Sequence, residues 1–229
     1  MEAIRLQQVR KVFNQGRANE FWAIRGIDLA IDPHQTTVFK GPSGSGKTTL
    51  LSMIGCLSRP TSGRIFVGQR SLSGLPERFA TEIRRKTFGF IFQQFNLIKG
   101  LTVLENVMLP AYPLGLPYGR LKTSAMQLLE RFDLASRATS RVEWLSGGEA
   151  QRSAICRALI NQPRMLIADE PTANLDSRLS QEFMRLVGEI RHSGKSVLLS
   201  SHDPLVFDAP EVDRVVSLRD GLVEDSICC

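Results

Sequence analysis

The chain opens on alternating apolar and polar positions. Ile4 and Leu6 alternate with Arg5 and Gln7, which predicts a strand over Ile4 to Phe13. Two more strands follow over Phe21 to Ile31 and Thr36 to Lys40, set off by turn-forming stretches at 14–17 and 32–34, and two of the three read as a hairpin. The period changes after a glycine-rich segment at Gly41 to Gly46. Leu50, Leu51, Met53 and Ile54 carry helical spacing, so Lys47 to Cys56 is predicted as a helix facing a sheet. Residues 59–63 break the chain; Arg64 to Val67 then reads as a short strand, Pro76 to Arg85 as a short helix and Phe88 to Phe92 as a buried strand.

From about Phe95 to Ile160 the strand pattern disappears. Helical spacing covers Val103 to Leu109, Leu121 to Phe132 and Gly148 to Ile160. Alternation of strand and helix then resumes with a strand at Met165 to Ala168, a helix at Ser180 to Ile190, and strands at Ser196 to Ser200 and Val212 to Leu218. This order predicts a covered, mostly parallel sheet with a helical insertion.

Composition bounds the picture. The chain has 229 residues, 42% of them hydrophobic, which suffices for one large domain or two small lobes with a core that needs no crosslinks. Lys and Arg number 29 against 23 Asp and Glu, a net +6 spread along the chain, which gives solubility with a basic lean. No apolar run approaches the roughly 20 residues of a membrane span. The first residues alternate in polarity where an apolar leader would be continuous, so the chain is expected to stay in the cytosol. Cys56 and Cys156 stand alone in apolar helical contexts and are expected as reduced thiols; Cys228 and Cys229 are expected in a frayed tail, with a metal or modification handle as the lesser alternative.

The chemistry begins at Gly41-Pro-Ser-Gly-Ser-Gly-Lys47-Thr48. Its spacing is that of a phosphate-binding loop, and it falls between a predicted strand and a predicted helix as that loop requires. Gly41, Gly44 and Gly46, with Ser43 and Ser45, let the backbone wrap a phosphate chain with its amides inward, and the following helix offers free N–H groups. Lys47 is placed to span the β and γ phosphates, Thr48 to take a Mg2+ position through its hydroxyl, and Thr49 to donate to the α phosphate. A plain helix-capping turn needs neither the lysine nor the hydroxyl after it. The apolar run from Met165 to Ala168 ends in Asp169 and Glu170, where open α/β sheets place their ligands. Asp169 is expected to hold Mg2+ and Glu170 to orient or deprotonate the water attacking the γ phosphate, which together imply hydrolysis.

With Leu145-Ser-Gly-Gly-Glu149 the chain resembles the nucleotide-binding subunits of ATP-binding cassette transporters. The resemblance runs from Ile4 to about Glu224. It implies an α/β fold with a RecA-like P-loop NTPase core, an N-terminal antiparallel β subdomain and an inserted helical subdomain. The organisation it implies is a single ATPase domain over 1–229, with a sheet lobe at about 1–94 and 161–229 and a helical lobe at about 95–160. In such proteins the signature, here Ser146, Gly147 and Gly148, closes over the γ phosphate held by a second copy. The resemblance further assigns Gln93 to Mg2+ and the attacking water, Asp176 in Asn174-Leu-Asp176 to the loop crossing the dimer interface, and His202 to the γ phosphate and to support of Glu170. Phe13 stands where an aromatic ring stacks on adenine. Ala150 departs from the glutamine or lysine more usual there, and the stretch from Arg137 to Val142 lacks the usual proline.

The stretches Phe90 to Leu97, Thr102 to Val107 and Thr172 to Ser177 are similar to those of the group serving lipoprotein release, macrolide and peptide export and cell division. The resemblance implies a dimer of this chain, bound to transmembrane permease subunits, peripheral on the cytoplasmic side of a bacterial inner membrane and driving export or mechanotransmission. A cell-division-type regulatory ATPase is the first alternative. A nucleic-acid or ribosome-associated ATPase is the second, and no nucleic-acid partner is expected, since neither a coiled-coil insertion nor a second cassette fits the length. The +6 charge then suits work beside an anionic leaflet.

Overall fold

A computed structural model of the chain describes residues 3–173 and 175–228; Asn174 and Cys229 lie outside them. Two sheets are present. The first has the order β2-β1-β4-β5, from β1 (Ile4–Phe13), β2 (Phe21–Ile31), β4 (Ser62–Val67) and the two-residue β5 (Arg70–Ser71). β1 and β2 pair antiparallel as the predicted hairpin, with Phe13 opposite Phe21. The second sheet has the order β10-β9-β3-β8-β7-β6, built from β3 (Thr36–Lys40), β6 (Phe88–Ile91), β7 (Met165–Asp169), β8 (Ser196–Ser201), β9 (Arg214–Arg219) and β10 (Leu222–Cys228). Its pairs are parallel except β9 with β10.

The apolar runs predicted as buried strands are buried on both faces, as parallel sheets require. Alternate side chains divide between two cores. Phe39, Met165, Ile167, Leu198 and Val216 face α1 (Lys47–Ile54) and the inner face of the first sheet. Val38, Leu166, Ala168, Val197 and Leu199 face α6 (Ser177–His192) and α7 (Pro204–Phe207). This second core continues into the helices between the strands: α3 (Val103–Met108), α4 (Tyr118–Arg131) and α5 (Gly147–Leu159). α2 (Glu77–Thr87) precedes β6 and buries Ala80 and Ile83.

Two expectations are corrected. The expected frayed tail is an ordered strand: Cys228 lies in β10, opposite Arg214 of β9. Its thiol is exposed, and Cys56, Cys156 and Cys228 are all free. The helix expected from Gly148 starts one residue earlier, because Ser146 caps it. The short helix α7 and the strand β5 went unpredicted. Burial pushes the thiols of Cys56 and Cys156 up to about 11 and about 12, so both behave as small apolar side chains. Among the described residues no helix is long and apolar enough to cross a membrane.

Candidate active site

Four adjacent parallel strands end at one edge of the second sheet, and each delivers part of the site. The phosphate loop follows β3, Asp169 ends β7 with Glu170 next, His202 follows β8, and Gln93 lies just beyond β6. Register keeps these ends level: Lys40 sits opposite Ser201, Asp169 opposite Ser200, and Ile91 opposite Ala168. Such a strand-end edge is where open α/β sheets bind ligands. The resulting cleft, about 250 Å³, is lined by Phe21, Ala23, the loop from Ser43 to Thr49, Gln93, Glu170 and His202.

The loop's shape depends on glycine at two points. A Cβ at Gly41 would stand 2.1 Å from the Leu218 carbonyl oxygen, and one at Gly46, where φ is +102°, would stand 2.6 Å from that of Ala23. The loop is also braced from outside. The Gly221 amide, in the turn between β9 and β10, donates to the Ser45 carbonyl, and the Arg25 amide of β2 donates to the Gly221 carbonyl. Among the described residues no side chain caps the start of α1, so its first amides remain available to an anion.

Lys47 is almost fully buried. Its Nζ donates to the carbonyls of Gly41 and Pro42, at 2.7 and 3.1 Å, and lies 3.4 Å from Glu170 Oε1. The buried ammonium is thus paired and hydrogen-bonded within the loop it would serve. The Thr48 hydroxyl donates to Asp169 Oδ1 at 2.9 Å, and the Ser200 hydroxyl donates to the same oxygen at 2.6 Å. Ser200 also accepts from the Glu170 amide at 2.8 Å, so one fully buried serine fixes both carboxylate residues. Glu170 has φ of +44°, a left-handed backbone unusual outside glycine, held between this bond and the His202 ring, whose Nδ1 lies 3.0 Å from Oε2.

A hydroxyl and a carboxylate oxygen in contact, beside a phosphate loop, form a hard-oxygen donor set suited to Mg2+, which takes one or two carboxylates and completes its shell with substrate phosphates and water. Among the described residues no group of three or more His, Cys, Asp or Glu could hold a metal by itself.

The remaining predicted residues lie elsewhere. Ser146, Gly147, Gly148 and Asp176 are absent from the cleft lining. They lie at the starts of α5 and α6, with Ser146, Gly147 and Asp176 exposed and Gly148 buried; a Cβ at Gly147 would be 3.9 Å from Leu175 and one at Gly148 would be 3.0 Å from Leu179. Ser146 accepts from the Glu149 amide while Glu149 accepts from the Ser146 amide, a reciprocal cap on α5, and Arg137 Nε donates to Glu149 Oε1 at 2.8 Å. Asp176 caps α6 by accepting from the Leu179 amide at 2.9 Å. Phe13 is 43% exposed, with Lys11 Nζ 5.2 Å from its ring centre; the cleft lining takes Phe21, its cross-strand neighbour. Ser200 and Glu149 were missed from sequence. The Ser-x-x-Glu spacing of a capping box signalled the second.

A family model described as ABC transporter matches residues 24–173. The lipoprotein-releasing system ATP-binding protein LolD of Paramagnetospirillum magneticum is 40% identical over 221 residues, 96% of each chain. The pyoverdine export ATP-binding/permease protein PvdT of Pseudomonas fluorescens is 41% identical over 96% of this chain, which spans only 33% of that relative's length. Among solved structures, the dimeric bacterial ABC transporter cassette MJ0796 superposes with a TM-score of 0.90 at 37% identity, covering 98% of both chains. Its post-hydrolysis dimer bound to ADP and Pi gives 0.89 at 35% identity. By family match, full-length similarity and fold together, the chain belongs to the ABC transporter family as an ATP-binding cassette that hydrolyses ATP.

Proposed function

We propose that two copies of this chain close head to tail on two ATP molecules and so drive a membrane-embedded export or mechanotransmission complex from the cytoplasmic face. The observation behind this reading is the separation of two half-sites: a cleft holding Lys47, Thr48, Gln93, Glu170 and His202, and a distinct surface carrying Ser146, Gly147, Gly148 and Asp176. A nucleotide bound in the cleft lacks the second set until another copy supplies it. Dimeric relatives of the same fold support the arrangement.

The chemistry follows from the geometry. The loop amides and Lys47 bind the triphosphate, and Lys47 must exchange its contacts with Gly41 and Pro42 for phosphate oxygens. Thr48, Asp169 and Gln93 would hold Mg2+, which neutralises phosphate charge when bound. Glu170 orients the attacking water and accepts its proton, and His202 holds that carboxylate while facing the γ phosphate. Ser146 and the free amides opening α5 arrive from the second copy as donors to the same phosphate. Phe13 or its neighbour Phe21 offers a ring to adenine, and Phe21 already lines the cleft.

Transmembrane permease subunits supply the path and select the cargo, by analogy with the lipoprotein-releasing and export relatives. The Glu170→Gln variant tests the core of this reading. It is expected to bind ATP, to lose steady turnover by a factor of about 10² or more, and to elute as an ATP-dependent dimer. Turnover at the parental rate would remove Glu170 from its role.

A further inference from the structure

Trp144 is the most exposed large hydrophobic side chain among the described residues, at 73%. Its indole N–H has no partner among them, whereas the chain's other tryptophan, Trp22, donates to Glu20 at 3.0 Å. Large exposed aromatics are uncommon on a surface with no partner, because their ring area gains most from burial.

The backbone carrying it is tied down by hydrogen bonds on both sides. Residues 142–144 form a 3-10 turn in which the Trp144 amide donates to the Arg141 carbonyl at 3.1 Å and the Val142 amide donates to the Leu101 carbonyl at 3.3 Å. The flanking side chains grip one residue from both sides: Glu143 Oε1 accepts from the Gly100 amide at 2.7 Å, and Arg141 donates to the Gly100 carbonyl. The side chain of Val142 is buried beneath. An exposed indole on an over-determined turn loses little backbone entropy on binding, the property of an interface anchor.

Its location selects the occupant. Leu145 is extended, with φ of −81° and ψ of 144°, so the Cα atoms of Trp144 and Ser146 are about 7 Å apart. Trp144 thus lies two residues before the Ser146 cap of α5, whose first turn packs against Leu175 and Leu179. The rim of the cleft that this turn would meet carries exposed Phe13 and Phe21, at 43% and 52%.

Resting on the head-to-tail reading above, we infer that Trp144 seats one copy on another, its indole packing at the nucleoside end of the ATP held by the second copy, beside that rim. Trp144 adds apolar and stacking contact where the signature residues offer only a hydroxyl and amides.

The experiment uses the full chain carrying both Trp22→Phe and Glu170→Gln, in which Trp144 is the only tryptophan. Emission and acrylamide quenching are followed with ATP over a range of protein concentrations, beside size-exclusion chromatography. Trp144 should become several-fold less quenchable, and its emission should shift to the blue, in step with the dimer peak. Adding Trp144→Ala should weaken ATP-dependent dimerisation about tenfold while leaving the monomer's thermal unfolding unchanged, and Trp144→Phe should recover part of the loss. A dimer in which Trp144 remains as quenchable as without ATP overturns this inference and leaves the sandwich reading standing. No ATP-dependent dimer at any concentration overturns the sandwich reading, and this inference with it.

Discussion

Nδ1 of His202 lies 3.0 Å from Oε2 of Glu170, while the other oxygen of that carboxylate lies 3.4 Å from Lys47 Nζ. The proposed base is therefore suspended between two cationic or donor groups from different strand ends. Removing the imidazole frees one side of the carboxylate and leaves the phosphate loop untouched. His202→Ala is expected to keep ATP affinity within a few-fold and to lower turnover by about 10² or more. Nucleotide titration beside steady-state phosphate release checks this, and a fall in affinity without a fall in turnover would contradict it.

Ser200 connects the two acids more directly than either connects to the other. Its hydroxyl donates to Asp169 Oδ1 and accepts from the Glu170 amide, from a fully buried position. Ser200→Ala leaves a buried amide unsatisfied and a carboxylate short of one donor, at a cost of about 1–3 kcal/mol. Denaturant midpoints should fall accordingly. Turnover should need more Mg2+, since the orientation of Asp169 is no longer fixed. An unchanged metal dependence would show that Thr48 alone suffices to orient it.

Glu149 carries a pH-dependent part of the signature's geometry. The Ser146 amide, and after it the Arg137 side chain, holds its carboxyl below the usual carboxylate range. With the folded pKa depressed, the stabilisation is fully present above the ordinary carboxylate pKa and is lost as pH falls through the lower folded value. At neutral pH, Glu149→Gln keeps an acceptor for the Ser146 amide but loses the charge facing Arg137, and should therefore cost no more than about 1 kcal/mol. The gap should close as both proteins are acidified below the carboxylate range. A constant gap across an acid unfolding series would assign the effect to packing.

Legibility followed the strength of local patterning. β1, β2 and β3 were readable to the residue because a buried face imposes period two or a continuous apolar run, and β7 and β8 were readable for the second reason. The phosphate loop was readable because its backbone needs glycine at fixed points. β10 was not readable: most of its side chains are exposed and it is held by pairing with β9, a contact that leaves little mark on side-chain choice. Ser200 was hidden for another reason. A serine ending an apolar strand gives no sign that it faces the aspartate of the neighbouring strand, since register is a property of the sheet. The separation of the cleft from Ser146 is implied in the sequence only by the family resemblance, since no local pattern places the start of α5 away from the strand ends.

The turn between β9 and β10 touches the phosphate loop through Gly221 and Ser45, and the Leu218 carbonyl fills the space a side chain at position 41 would need. In order of synthesis these partners are separated by most of the protein. A nascent chain that has emerged through α6 already carries Lys47, Asp169 and Glu170, yet it lacks β8, His202, the strand β9 beside β3, and the outer wall of the cradle. The wall of the phosphate cradle on this side is therefore completed only once the β9–β10 hairpin has paired, the last of its parts in chain order.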